Sequence, residues 1–202
     1  MYGETLLDIA MMHSDSVIDR AQNGDKEAFN QLVSLWYKRI YNYAYKYFSE
    51  HNLASEATQK TFILVYRKID SLKNPDSFKG WIYRIATNCC HEEERLRKVN
   101  SNSEPIDLEL SAKDRRDDQV GVEDKIVNEE LSEVLIECLG QINPEQRQVI
   151  IMKEYEGFKF REIAEVLDIS ENTAKSRLYY GLAALRKILE EKNITIESWC
   201  NE

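Results

Sequence analysis

Apolar residues recur along this chain at intervals of three and four, the period of a helix with one buried face. Phe29, Leu32, Val33, Trp36, Ile40, Tyr43, Ala44 and Tyr47 form one such stripe, long enough for about six turns. Asp25 stands ahead of it as an N-cap, and Asn23-Gly24 closes a shorter helix through Val17 and Ala21. A second long helix is predicted from Ala54 to Ile69, with Ala57, Phe62, Val65, Tyr66 and Ile69 on its apolar side. Asn74-Pro75-Asp76 marks a break, and a third helix runs from near Phe78 through Leu96, burying Ile82, Ile85, Ala86 and Cys89. Between Asn100 and Val122 the pattern stops: no aromatic occurs, apolar residues are scattered, and acids outnumber bases. Such a segment is too polar to bury a core. Periodicity resumes at Val127, Leu131, Val134, Leu135, Cys138 and Leu139, and Asn143-Pro144 supplies a cap and a first-turn proline.

The last stretch has a tighter pattern. Phe160 to Leu167 reads as a short helix with Ile163, Ala164 and Leu167 inward. Asp168 stands where the turn needs left-handed backbone, which Asp tolerates better than most residues. Ser170 then caps a longer helix whose core face is Ala174, Leu178, Leu182, Leu185 and Leu189. Short helix, tight turn and longer helix make a helix-turn-helix. The outward face of the second helix carries Glu171, Asn172, Thr173, Lys175, Ser176, Tyr179 and Tyr180, with Arg177 at its edge. Those amide, hydroxyl and basic groups suit base edges and phosphates of a major groove. The expected fold is therefore all-α: two small helical domains, residues 14–100 and 123–190, joined by a flexible acidic linker over 101–122. A cut within that linker is expected to leave two separately soluble lobes.

Composition agrees with helices. The 202 residues include only 7 Gly and 3 Pro, too few for a turn-dense β-sandwich or barrel. No run of apolar residues is long enough to span a membrane, and Leu6 to Met12, interrupted by Asp8 and not preceded by a base, is a poor signal peptide. Four cysteines without a Cys-x-x-Cys pair read as reduced thiols in a cytoplasm. No ligand-spaced cluster accompanies the 3 histidines, so neither a metal site nor a catalytic residue nor a cofactor is expected. The acids Glu92 to Glu94 beside His91 fan around one helix and form no pocket. The net charge of −9 disfavours a free-standing polyanion binder. It is unevenly spread: residues 14–100 hold 14 bases and 11 acids, whereas residues 123–202 hold 10 and 17. Within the latter, residues 171–187 carry four bases against Glu171, a basic patch on an acidic lobe.

The helix from Phe78 has a second face, on which Trp81, Arg84, Asn88 and Arg95 fall at 3-4-7 spacing with Lys79 adjacent. Rings stack on unpaired bases and guanidinium groups neutralise phosphates. Read without further context, Trp81 as core and Arg84 as an ordinary surface charge remains open. Ala54 to Phe62, Phe78-Lys79-Gly80-Trp81 through Asn88, Asn143-Pro144-Glu145-Gln146-Arg147, Tyr155-Glu156-Gly157, Arg161 to Glu165 and Thr173 to Leu178 occur in order. Together they resemble the extracytoplasmic-function (group IV) sigma factors of bacterial RNA polymerase, over about residues 14–190.

The resemblance implies roles. Glu56, Gln59, Phe62 and Tyr66 match the surface that grips the clamp of core polymerase. Ser71, Lys73, Phe78, Lys79, Trp81, Arg84, Asn88 and Arg95 match the part that opens the −10 element and captures a flipped base. Arg161, Ser170 to Thr173, Lys175 to Arg177, Tyr179 and Tyr180 match the −35 reader, whose lobe also docks on the polymerase flap. The linker would thread the channel for nascent RNA. Promoter DNA and core polymerase are the implied partners, with no small-molecule substrate. Members of the family are commonly held by an anti-sigma partner, often membrane-anchored, which would keep the chain at the inner membrane face of a bacterial cytoplasm. Three departures stand out: Lys60 replaces a usually acidic residue, Glu92-Glu93-Glu94 makes the −10 helix more acidic at its end, and Tyr180, Leu182 and Ala183 occupy a stretch often richer in Arg and Lys. A stand-alone dimeric helix-turn-helix regulator is the alternative, but it leaves the Trp81 to Asn88 face and the acidic linker without a purpose.

Overall fold

The structure, a computed structural model, describes residues 15–101, 133–192 and 194. The expectations for the linker, and for Val127 and Leu131, lie outside the described residues. Every regular element within them is helical: α1 (Asp15–Gln22), α2 (Lys26–Phe48), α3 (His51–Lys68), α4 (Phe78–Ser101), α5 (133–140), α6 (Pro144–Ile150), α7 (Phe160–Leu167) and α8 (Glu171–Glu191). Short 3-10 turns lie at Ile69–Ser71 and Pro75–Ser77, and a π-helical turn at Ile151–Tyr155 continues α6.

Local chemistry sets the boundaries. Gly24, at φ 84°, turns the chain out of α1, and Asp25 Oδ1 accepts from the amides of Glu27 and Ala28 at 2.9 and 3.1 Å. Two orphan donors at the start of α2 are thereby satisfied. Asn143 caps the helix that begins at Pro144, as predicted, and Asn74, where a break is predicted, caps the short turn that begins at Pro75. Asp168 adopts φ 54°, ψ 50°, and Ser170 Oγ accepts from the Thr173 amide at 3.0 Å, so the helix-turn-helix is built as its sequence implies. The third helix runs five residues beyond Leu96, to Ser101.

Leu32, Trp36, Ile40, Tyr43 and Tyr47 of α2 are buried with Ala57 and Val65 of α3 and Ile82, Ala86 and Cys90 of α4, forming the core of the first lobe. Trp36 meets the Phe78 ring edge-on at 5.3 Å. In the second lobe Leu139, Ile142 and Ile150 pack against Leu178, Leu185 and Ile188 of α8. Two expectations change here. Tyr66 is 57% exposed rather than inward. Leu182 is 41% exposed, because the buried line of α8 passes through Gly181 instead. A Cβ on Gly181 would lie 2.9 Å from Ile150 Cδ1 and 3.1 Å from Gln146 Cβ, so only a hydrogen lets α8 approach α6 this closely.

The two lobes lie against each other, and one apolar cluster runs across the joint. Tyr83 of α4 packs edge-on to Phe158 at 5.0 Å, and Val166 of α7 faces Gly80 of α4. Val166, off the inward face that the pattern predicts for its helix, is 6% exposed and belongs to the cluster that crosses the joint. The Arg147 guanidinium donates to the carbonyls of Gly140 and Ile142 at 2.7 and 2.9 Å, and also to the Tyr47 carbonyl of α2. Both helical domains are present as expected, but cutting the chain between them would uncover an apolar patch on each piece. The expectation of two freely soluble lobes is corrected accordingly. Cys89, Cys90 and Cys138 are all buried free thiols, and burial pushes each of them up in pKa, away from reactive thiolate.

Asp25→Ala removes the double acceptor that starts α2, the helix that brings Leu32, Trp36, Ile40 and Tyr43 to the core of the first lobe. It should lower unfolding free energy by about 1 kcal/mol, read as a lower urea midpoint at unchanged slope.

Candidate nucleic-acid interface

Helix α4 has one face committed to the core and another turned outward. Arg84, Asn88 and Arg95 are exposed on the latter, as their spacing requires. Trp81 is half-buried, its ring 5.8 Å from that of Phe78, so it rests partly on the core while keeping an edge in solvent. Phe78 itself is 2% exposed and packed on Trp36, which removes its side chain from any contact surface. Ser71 and Lys73 are exposed before the helix, and the Ser71 hydroxyl donates to the Lys68 carbonyl at 2.6 Å.

A second surface lies between α2 and α3. Phe29, Val33, Gln59, Phe62, Ile63 and Tyr66 line a groove of about 870 Å³. Gln59 and Tyr66 are exposed there, whereas Phe62, 8% exposed, stacks on Tyr37 at 6.0 Å and makes the floor; Glu56 is exposed on the same helix but does not line the groove. Phe29, Val33 and Ile63 belong to this surface although the sequence pattern did not single them out for it. Ile63, 45% exposed, was legible as an apolar residue off the buried stripe. Contiguous exposed apolar surface marks a partner site.

In the second lobe, α8 presents Glu171, Asn172, Lys175, Ser176, Tyr179 and Tyr180 to solvent. Lys175 Nζ lies 5.8 Å over the Phe160 ring, and Lys153 Nζ lies over the same ring at 5.2 Å. Arg161 is exposed on α7, within 3.7 Å of Glu165. Ser170 and Thr173 are less available: their hydroxyls bond each other at 2.8 Å, and Ser170 is committed to its cap. Arg177 is half-buried and held by Glu145 at 2.5 Å.

One edge of α8 meets the outward face of α4 across the joint. Arg84 and Asn88 of α4 and Arg177 of α8 line one cleft of about 440 Å³, together with His91, Glu145 and Gln148. Gln148 Nε2 lies 2.8 Å from His91 Nε2. Lys79 Nζ donates to the Glu156 carbonyl at 2.9 Å and sits 4.3 Å over the Phe158 ring, while the Tyr83 hydroxyl donates to the Glu156 carboxylate. The π-helical turn aims Tyr155 and Glu156 at the first lobe, and Lys46, pushed down in pKa by burial, lies 4.8 Å over the Tyr155 ring.

Two of the unusual charges prove to be partners. Lys60 of α3 is ion-paired with Glu93 of α4, whose side chain is 6% exposed against 44% for Lys60. The hydrogen bond from Lys60 to Glu93 raises the lysine's pKa. Glu94 instead accepts from Tyr47 at 2.5 Å and pairs with Lys98 at 3.2 Å. Burial pushes its carboxyl up, but those two bonds outweigh it and leave the pKa lowered. Glu92 points to solvent, so the three acids diverge as their helical placement requires.

Residues 32–100 match the family model of sigma-70 region 2, and residues 132–185 that of sigma-70 region 4. The chain is 30% identical over 181 residues to the ECF RNA polymerase sigma factor SigW of Bacillus subtilis, covering 86% of this chain and 95% of the relative. It is 26% identical over 185 residues to the ECF RNA polymerase sigma-E factor of Haemophilus influenzae, covering 88% and 93%. Among solved structures, CnrH in complex with the cytosolic domain of CnrY matches with a TM-score of 0.64 at 21% identity, over 88% of this chain and 97% of that one. The sigma factor RpoE in complex with the anti-sigma factor NepR from Bartonella quintana matches with a TM-score of 0.65 at 23% identity, over 80% and 96%. Both likenesses establish the fold.

Lys60→Ala leaves the buried Glu93 carboxylate without its partner. It should destabilise the chain by about 1–2 kcal/mol after allowance for the exposed lysine, and Lys60→Met with Glu93→Leu should recover most of that loss. Urea unfolding of the single and double variants measures the coupling.

Proposed function

This chain belongs to the extracytoplasmic-function sigma factors, subunits that give RNA polymerase its promoter and carry no catalysis of their own, and we propose how its residues divide that work. Residues 14–100 act as the region 2-like domain, which holds core polymerase and opens the −10 element. Residues 101–122 are the linker. Residues 123–190 are the region 4-like domain, which reads the −35 element and docks on the flap. What carries the reading is the order of both regions in one chain, joined to an outward polar face on α4 and on α8.

The groove between α2 and α3 receives the polymerase clamp, with Gln59 and Tyr66 at its rim and Phe62 as its floor. Burial of Tyr66 and Ile63 supplies an apolar driving force, and Glu56 adds charge at the edge. Arg84, Arg95 and Lys79 of α4, with Lys73 ahead of it, engage the backbone, Trp81 stacks on an unpaired base, and Asn88 reads its edge. Stacking and hydrogen bonds offset the cost of unpairing. On α8, Asn172, Lys175, Ser176 and Arg177 meet base edges, with Arg161, Tyr179 and Tyr180 toward phosphates.

The acidic total is consistent with this division. Polymerase-bound contacts are effectively intramolecular, so each needs little affinity by itself. An anti-sigma partner is proposed as the negative regulator, and a cytoplasmic location, at the inner membrane face when that partner is anchored, follows from it. No described helix is long and apolar enough to cross a membrane.

Run-off transcription with core polymerase on genomic fragments tests the reading: start sites should appear that core polymerase alone does not use. Asn88→Ala or Trp81→Ala should impair promoter opening, read by permanganate reactivity of unpaired thymines, while leaving polymerase binding near that of the parent. Lys175→Ala should weaken −35 recognition by about 1–3 kcal/mol if it reads a base directly, measured as a loss of footprint over that element.

A further inference from the structure

The groove between α2 and α3 is an apolar trough with one positive end. Tyr37, Ile63 and Tyr66 line it at 44%, 45% and 57% exposure, over the Phe62 floor. Phe29 meets Tyr66 edge-on at 5.0 Å at one end, and Tyr37 stacks on Phe62 at 6.0 Å toward the other. The charged residues that line it are both bases, Lys26 at the start of α2 and Arg67 at the end of α3. The two helices run antiparallel, so both bases stand at the same end, beside Phe29 and Tyr66. Both are exposed, and neither has an ion pair among the described residues. Such a trough selects an apolar segment that brings acids to the positive end.

The chain carries such a segment. Fourteen residues precede Asp15, and among them stand two acids, Glu4 and Asp8, and no Lys or Arg. Leu6, Ile9 and Ala10 are spaced to share one face of a helix, flanked by Leu7 and Met11. Glu4 and Asp8, four apart, fall at the edge of that apolar arc. The segment also starts in the right place. The turn at Gly24 folds α1 back on α2, and Ile18 and Ala21 are buried with Ala28 and Leu32. α1 has eight residues, as many as run from Lys26 to Val33, so the chain ahead of Asp15 leaves level with Val33, which lines the groove. A reversal at His13-Ser14 turns it toward Lys26 and Arg67, and the stretch from Ile9 to Ser14 spans up to about 20 Å when extended.

We propose that Leu6 to Met12 is a tethered ligand of the groove between α2 and α3. Its apolar side chains lie on Phe62, Ile63 and Tyr66, and Glu4 and Asp8 pair with Lys26 and Arg67. The consequence for transcription rests on the assignment of this groove to the polymerase clamp. Clamp and arm contend for one apolar floor, so the clamp binds only when the arm is out. A short connection gives an effective concentration on the order of 1 mM, so an arm with an intrinsic Kd of about 0.1 mM fills the groove roughly ten to one. Affinity for core polymerase then falls about tenfold, because only the unfilled fraction is competent.

Hydrogen exchange of the full-length chain tests occupancy without polymerase. In the parent, the amides of Leu6 to Met12 should exchange about tenfold more slowly than those of an unstructured peptide, because docking holds them in helical hydrogen bonds. Ile63→Glu puts an acid into the trough at an exposed position, where Glu is a good helix former. It should return those amides to the unstructured rate, as should Leu6→Ser combined with Ile9→Ser in the arm. The arm variant should also bind core polymerase about tenfold more tightly than the parent. If Ile63→Glu loses its helical circular dichroism, Arg67→Glu, which reverses a rim charge, is read by the same exchange and should speed it. Unstructured exchange of Leu6 to Met12 in the parent overturns the proposal, as does slow exchange that a well-folded groove variant leaves unchanged. Protection that grows with chain concentration also overturns it, assigning the arm to the groove of a second copy. An arm freed in the exchange measurement but without effect on polymerase affinity upholds the docking and instead defeats the placing of the clamp in this groove.

Discussion

Helix α4 must serve two environments at once, and the rest of the molecule is arranged around that demand. Ile82, Ala86 and Cys90 have to be covered by α2 and α3 if the first lobe is to hold together, while Arg84 and Asn88 lie exposed on the other side. A helix meets both needs because residues three and four apart share a face, so one sequence can alternate duties every turn. The boundary between the faces is where ambiguity collects. Trp81 lies on it, half on the core and half in solvent. Tyr83 and Thr87 lie across it and are fully covered, Tyr83 by Phe158 and Thr87 through its 2.9 Å bond to the Tyr43 hydroxyl.

Most of the helical framework is legible in the chain itself. Caps are local, and Asp25, Asn74, Asn143 and Ser170 each do what their side-chain oxygens imply. Asp168 likewise declares a left-handed residue through its position between two apolar periods. Registers are less certain, because a 3.6-residue period drifts against any fixed spacing. Leu182 and Gly181 differ by one position, and only the approach of α6 decides which is inside. Glycine offers no apolar signal at all, so a sequence pattern passes over the very residue that permits the contact.

Site residues were legible in proportion to their dependence on local geometry. The exposed faces of α4 and α8 follow from spacing alone. Phe78 does not, since its burial is set by Trp36, more than forty positions away in the chain. The pairing of Lys60 with Glu93 is likewise invisible to periodicity, although the two residues depart from the family's charge pattern. Opposite departures on helices that pack together compensate each other, which explains how α3 can carry a base there without leaving a buried acid unpaired. The joint between the lobes was the least legible feature, because Val166 and Phe158 look like ordinary lobe residues until the opposing surface is in place.

The wide turn at Ile151–Tyr155 has a consequence for how such a molecule can vary. A π-turn accommodates one extra residue in a helix, and one residue is about 100° of rotation. Everything after it is therefore dialled by a single codon relative to everything before. Here that rotation carries Tyr155 and Glu156 toward Lys46 and Tyr83. Loss or gain of one residue at this point would turn α7 and α8 against α5 and α6, whose Leu139, Ile142 and Ile150 α8 covers, so the interior of the second lobe and the geometry of the joint are tied together through this one turn.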